Sequence, residues 1–87
     1  MKVFYTKAFK KDFKNIPQEF QKIAENKLAL FVDNPSHPSL GVKKMKGLKS
    51  IWEGRITINY RFTFHIEGET YVLRRIGTHD ILKREKD

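Results

Sequence analysis

From Trp52 to Ile66 the chain alternates between hydrophobic and polar residues. One set is Trp52, Gly54, Ile56, Ile58, Tyr60, Phe62, Phe64 and Ile66; the other is Glu53, Arg55, Thr57, Asn59, Arg61, Thr63 and His65. Successive side chains on a strand point to opposite faces, so this pattern predicts β-structure with one apolar face and one polar, cation-rich face. The stretch is too long for an ordinary single strand, which predicts a hairpin turning near Thr57 to Asn59. A three-residue loop pairs Ile56 with Tyr60, Arg55 with Arg61 and Trp52 with Phe64, and both apolar sets then share a face. A two-residue loop would turn one set outward, against the register that a half-buried sheet imposes. The favoured register sets Arg55 directly opposite Arg61, a like-charge pair that costs up to about 1 kcal/mol. Either Glu53 pairs with one of the arginines, or the pair is kept for an anion such as a phosphodiester, which suits two planar guanidinium groups.

Around this hairpin the other elements follow in order. Lys2 to Thr6 is β-rich and predicts a first strand. Phe9 and Phe13, four residues apart, give Ala8 to Asn15 a single apolar stripe and predict a short helix. Ile16-Pro17 interrupts it, and a second helix begins with Pro17 near its first turn, where a missing N–H costs nothing. Phe20, Ile23, Ala24, Leu28 and Phe31 recur at helical spacing until Asp33-Asn34-Pro35 ends the run. Ser36 to Gly41 reads as a loop in which His37 is a turn residue. Lys43, Lys44, Lys46 and Lys49 read as a solvated strand edge or loop. Glu67-Gly68 predicts a turn with a positive φ at Gly68. Thr70 to Ile76 predicts the last strand, but Val72 and Leu73 are both apolar, so alternation does not assign Arg74 or Arg75 to the face of Arg61. Ile81 to Asp87 reads as a short charged tail. Two one-sided helices need a sheet to cover. The expectation is a single domain over residues 1–87, an α+β fold of order β-α-α-β-β-β with an antiparallel sheet and both helices on one side.

Composition narrows the chemistry. The chain has 87 residues, 18 Lys and Arg against 10 Asp and Glu, a net charge of +8, and no cysteine. Disulfides and thiolate metal sites are excluded. Such a balance in a small domain favours a polyanionic partner, nucleic acid or an acidic protein, over a merely soluble surface. The lysines near the N-terminus interrupt any apolar leader, and the longest apolar run, Leu28 to Val32, is too short to cross a bilayer. A cytoplasmic protein with no membrane partner is expected.

His37, His65 and His79 lack metal-ligand spacing, no nucleophile sits in a recognisable turn, and no glycine-rich phosphate loop is present. No metal or other cofactor is expected. What remains is arginine, lysine and histidine on a sheet, an inventory that suits RNA cleavage by the adjacent 2′-hydroxyl. That reaction needs a base, cations for the developing phosphorane and an acid for the departing 5′-oxygen. His79 is a candidate acid, though a strand-end histidine bonded to backbone is its ordinary reading; for His65 the ordinary reading is a solvent-facing strand residue.

The element order, Lys-Met-Lys-Gly at Lys44 to Gly47, Trp-x-x-Arg-Ile at Trp52 to Ile56, Tyr60-Arg61, and Leu-Arg-Arg-Ile-Gly-Thr-His-Asp at Leu73 to Asp80 together resemble the RelE/ParE toxin superfamily. The ending looks most like the YafQ branch of mRNA interferases. The resemblance implies a type II toxin–antitoxin toxin that cuts mRNA in the ribosomal A site, with an acidic cognate antitoxin as partner. It implies Arg61, Arg75 and His79 as catalytic residues, and Lys43, Lys44, Lys46 and Arg55 as RNA-binding residues. Asn59 stands where the YafQ branch has an acidic residue, and Leu82-Lys83 where it commonly has an aromatic one. These departures leave the general base unassigned. Two alternatives follow, a ParE-like gyrase-inhibiting toxin and a non-catalytic RNA-binding member of the fold.

Overall fold

The computed structural model describes residues 2–86; Asp87, the end of the expected tail, lies outside them. Five strands form one sheet in the order β1-β5-β4-β3-β2: β1 Lys2–Tyr5, β2 Lys43–Lys44, β3 Trp52–Arg55, β4 Tyr60–Glu67 and β5 Thr70–Thr78. Helices α1 (Lys7–Lys14) and α2 (Gln18–Asp33) follow β1, and short 3-10 segments cover Pro38–Leu40 and His79–Arg84. The α+β architecture is the expected one.

The hairpin has the register that loop parity predicts, with Trp52 opposite Phe64, Gly54 opposite Phe62 and Arg55 opposite Arg61. The Ile56 N–H donates to the Tyr60 carbonyl at 2.9 Å and closes the loop. Thr57 Oγ1 accepts from the N–H groups of Asn59 and Tyr60, which shapes the turn from within. Ile58, at the tip, is 83% exposed, so the apolar set skips the loop. Gly54 has no side chain because Phe62 needs the space: a Cβ there would lie 2.3 Å from the ring. Gly68 has the expected positive φ, 58°.

Phe31 of α2 anchors the core, its ring centroid 4.9 to 5.2 Å from those of Phe64, Tyr71 and Phe62. Phe9, Ile16, Ala24, Leu28, Leu40, Ile56, Leu73 and Ile76 complete the buried cluster. Burying such side chains stabilises by about 1.5 to 3 kcal/mol for each large one.

Two expectations are corrected. The sheet is not wholly antiparallel: β1 lies parallel to β5, with Tyr5 opposite Leu73. Hairpins force antiparallel pairing only between strands joined by a tight turn, and β1 is separated from β5 by both helices and the other three strands. The C-terminal residues are also not a free tail. His79–Arg84 folds back over β4 and β5, and Ile81 is buried above Gly77.

β1 pairs only with Thr70 to Leu73, so the second half of β5 has an open edge. Helix α1 covers it. Thr6 caps the helix by accepting from the Phe9 N–H, and its hydroxyl donates to the Leu73 and Arg74 carbonyls. Asp12, one and a half turns on, accepts the Ile76 N–H at 3.2 Å, where a neighbouring strand would have supplied a carbonyl. A free edge is thereby closed by side chains.

Candidate nucleic-acid interface on the outer sheet face

The face away from α2 carries the polar residues in rows that cross the strands. Pairing places Lys43, Glu53, Thr63 and Arg75 in one row, and Arg55, Arg61 and Gly77 in the next. Arg55 and Arg61 therefore sit side by side. Glu53 forms no ion pair with either among the described residues; it pairs with Lys43, at 3.8 Å. Arg61 donates one long hydrogen bond, 3.4 Å, to the Thr57 carbonyl. Arg55 is exposed and forms no ion pair among the described residues, its guanidinium lying beside Gly41. Lys43 and Lys44 form the short edge strand, exposed as expected, with the Lys44 ammonium 5.7 Å from the centre of the Trp52 ring. Lys46 is exposed in the following turn.

A β-bulge resolves the ambiguity in β5. Thr63 faces Arg75 and Phe64 faces Leu73, which leaves Arg74 as the extra residue. The bulge lets Val72 and Leu73 both be buried, and it brings Arg74 and Arg75 to the same cleft. Their partners differ. Arg75 grips Asp12 through two parallel bonds, Nε to Oδ2 at 2.6 Å and Nη2 to Oδ1 at 3.0 Å. That hydrogen bonding raises the Arg75 pKa above its ordinary value, against an opposing effect of burial. Arg74 donates from Nε to Glu85 Oε1 at 3.0 Å and from Nη1 to His65 Nδ1 at 2.9 Å. Since arginine only donates, His65 accepts at Nδ1 and carries its proton on Nε2, which reaches Glu67 at 2.9 Å.

Glu85 was not a candidate on sequence, and it is the residue that closes the middle of the face. Its side chain is 4% exposed, and its second oxygen accepts from the Thr63 hydroxyl at 2.6 Å. Thr63 is fully buried beneath it. The open polar surface expected from alternation is thus divided. Arg55 and Arg61 lie on the β3 side of the returning C-terminal segment, and Arg75 is tied to α1 on the other. His79 opens that segment at the end of β5; it is exposed, and its side chain forms no hydrogen bond or ion pair with the described residues, contrary to its ordinary reading as a histidine whose ring bonds the backbone. Asp12 and Glu85 are the residues that sequence reasoning missed; His65 and Thr63 were on the expected polar face without their partners, Arg74 was left open against Arg75, and the paired apolar residues Val72-Leu73 were the signal for the bulge. No group of three His, Asp or Glu suited to a metal ion occurs among the described residues.

No family model matches the chain. It is 29% identical over 82 residues to the curated toxin RelE3 of Methanocaldococcus jannaschii, covering 87% of this chain and 88% of the relative. The RelE structure from an antitoxin–toxin complex of Methanococcus jannaschii superposes with a TM-score of 0.75 at 25% identity, over 94% of this chain and 96% of that one. E. coli YafQ superposes with the same TM-score at 15% identity, over 92% and 94% of the two chains.

Proposed function

The chain resembles the RelE/ParE toxin superfamily in sequence and has its fold, and from that premise we propose that it is the toxin of a type II toxin–antitoxin system and acts as a ribosome-dependent mRNA endoribonuclease. One observation carries the proposal: Arg55 and Arg61 are held shoulder to shoulder with no carboxylate between them, at a cost to the sheet that an RNA phosphate would reverse. In this reading the 2′-hydroxyl gives up its proton to one of Lys43, Lys44 or Lys46 acting in its neutral form, its oxygen attacks the adjacent phosphorus, the bond to the 5′-oxygen breaks, and the products carry a 2′,3′-cyclic phosphate and a 5′-hydroxyl. Arg61 stabilises the charge that builds on the phosphorane oxygens. His79, exposed at the end of β5, delivers the proton to the leaving oxygen. Lys43, Lys44, Lys46 and Arg55 bind the RNA backbone on either side. Arg75 gives one N–H from Nε and one from Nη2 to Asp12, which leaves Nη1 and the second Nη2 hydrogen to offer a substrate. An acidic antitoxin neutralises this surface.

A second reading, a non-catalytic RNA-binding or gyrase-inhibiting member of the fold, is favoured by the engagement of Arg75 and by the carboxylate of Glu85 over the middle of the face. Induction of the chain in cells separates the two. The proposal expects ribosome-bound mRNA to be cut inside coding sequence with cyclic-phosphate ends. Intact mRNA together with accumulating DNA breaks would overturn it.

A further inference from the structure

A second cationic cleft lies on the α1 side of the C-terminal segment. It measures about 340 Å³ and is lined by Thr6, Ala8, His65, Arg74, Arg75, Arg84 and Glu85. Three arginines and a histidine converge there, and Glu85 is the one carboxylate among the lining residues. Its contacts are those a phosphate oxygen would make, one oxygen on a guanidinium Nε and the other on a threonine hydroxyl. Arg84 lines this cleft and also the neighbouring one beside Asp12, and it forms no ion pair among the described residues.

A purely structural ion pair accounts for Arg74 and Glu85 but not for the surplus. Asp12 balances Arg75 and Glu85 balances Arg74, which leaves Arg84 without an ion pair among the described residues at a site where the chain places its own anion, with Asp80 on its other side in the neighbouring cleft. Glu85 follows the last 3-10 residue, and its N–H makes only a long bond, 3.4 Å, to Leu82, so its backbone is weakly held and the carboxylate is the main tether.

We propose that this cleft is a second phosphate subsite for the RNA backbone, masked in the free chain by the Glu85 carboxylate. It rests on the RNA-directed reading above and extends it: a strand bound across Arg55 and Arg61 continues past the C-terminal segment, and its next phosphates displace Glu85 from Arg74 and Thr63 and meet Arg84. His65, which accepts from Arg74 at Nδ1, steadies that guanidinium in either state.

The test uses the full chain and a fluorescein-labelled single-stranded RNA in which every 2′-hydroxyl is methylated, so that it binds but is not cut. Glu85→Gln keeps the shape of the side chain and removes its charge. The variant is expected to bind about tenfold more tightly than the parent. Its plot of log affinity against log salt is expected to steepen by about 0.7, the value for one more phosphate contact on a single strand. Arg74→Ala in the Glu85→Gln background should return both quantities to the parent values, while Arg84→Ala should remove part of the gain. Thermal unfolding of each variant confirms that it is folded, and Glu85→Ala serves as a second unmasking variant if Gln retains both hydrogen bonds. Identical affinity and salt slope for the parent and both Glu85 variants would overturn the subsite, whatever a cleavage assay gives. A failed cleavage assay with the Glu85 dependence intact would instead sink the ribonuclease chemistry and leave the subsite standing.

Discussion

The two flanks of the outer sheet face hold the same kind of side chain and use it in opposite ways. At the β3–β4 hairpin, Arg55 and Arg61 are adjacent and no carboxylate among the described residues forms an ion pair with them. At the edge of β5, Arg74 and Arg75 are adjacent in sequence, and each is met by its own carboxylate, Glu85 and Asp12. What separates a structural arginine from one left for a ligand is therefore the company that the fold provides. In the free chain the β5 arginines hold elements together, α1 through Asp12 and the C-terminal segment through Glu85, and only Arg74 exchanges its carboxylate for a phosphate in the subsite inferred above. The hairpin arginines place two like charges side by side, which costs the sheet up to about 1 kcal/mol.

That contrast predicts stability changes of opposite sign. Asp12→Ala removes two charge-assisted bonds to Arg75 and leaves the Ile76 N–H without its acceptor, and is expected to cost about 3 kcal/mol. Urea unfolding measures it, and a loss below about 1 kcal/mol would show that α1 is not pinned to the edge in this way. An arginine is charged throughout the neutral range at its ordinary pKa, and Asp12 raises the Arg75 value further. The Arg75 share of the stability is fully present below the unfolded-state pKa and is lost only as strongly alkaline pH passes the folded-state value.

A smaller effect is expected from Gly77→Ala, whose new methyl would lie 2.9 Å from Ile81 Cγ2. Lifting the C-terminal segment to admit it should cost about 1 to 2 kcal/mol and expose Thr63. Faster amide exchange confined to Ile81 through Glu85 would mark the release, and unchanged exchange would mean that the segment does not press on the sheet. The smallest change has the other sign. Arg55→Thr relieves the like-charge pair and is expected to raise stability by about 0.5 kcal/mol while weakening RNA binding. A destabilised Arg55→Thr would show that the hairpin arginines support the fold after all.

Much of this arrangement was legible in the chain before any coordinates. The hairpin register followed from loop parity, because a one-residue slip would have exposed Phe62 or Phe64. The cross-strand arginine pair followed from the register. The β5 flank resisted the same treatment for identifiable reasons. Alternation fails at Val72-Leu73 because a bulge absorbs Arg74, and a bulge is decided by packing on both faces at once. Asp12 stands among lysines on the polar side of α1, where its neighbours give no hint that it substitutes for a strand. Lys83, Arg84, Glu85 and Lys86 read as solvated because they are charged, and the only apolar cues to docking were Ile81 and Leu82. Long-range side-chain pairing of this sort, Asp12 with Arg75 or Thr63 with Glu85, has no local periodicity to betray it.

The central claim is that the unpaired hairpin arginines serve the substrate and the paired edge arginine serves the fold. Cleavage of mRNA on purified ribosomes, with thermal unfolding in parallel, compares Arg61→Ala with Arg75→Ala most directly. The account predicts that Arg61→Ala loses cleavage by at least about a hundredfold with its unfolding temperature unchanged or raised, and that Arg75→Ala is chiefly destabilised. Full cleavage by Arg61→Ala would contradict it.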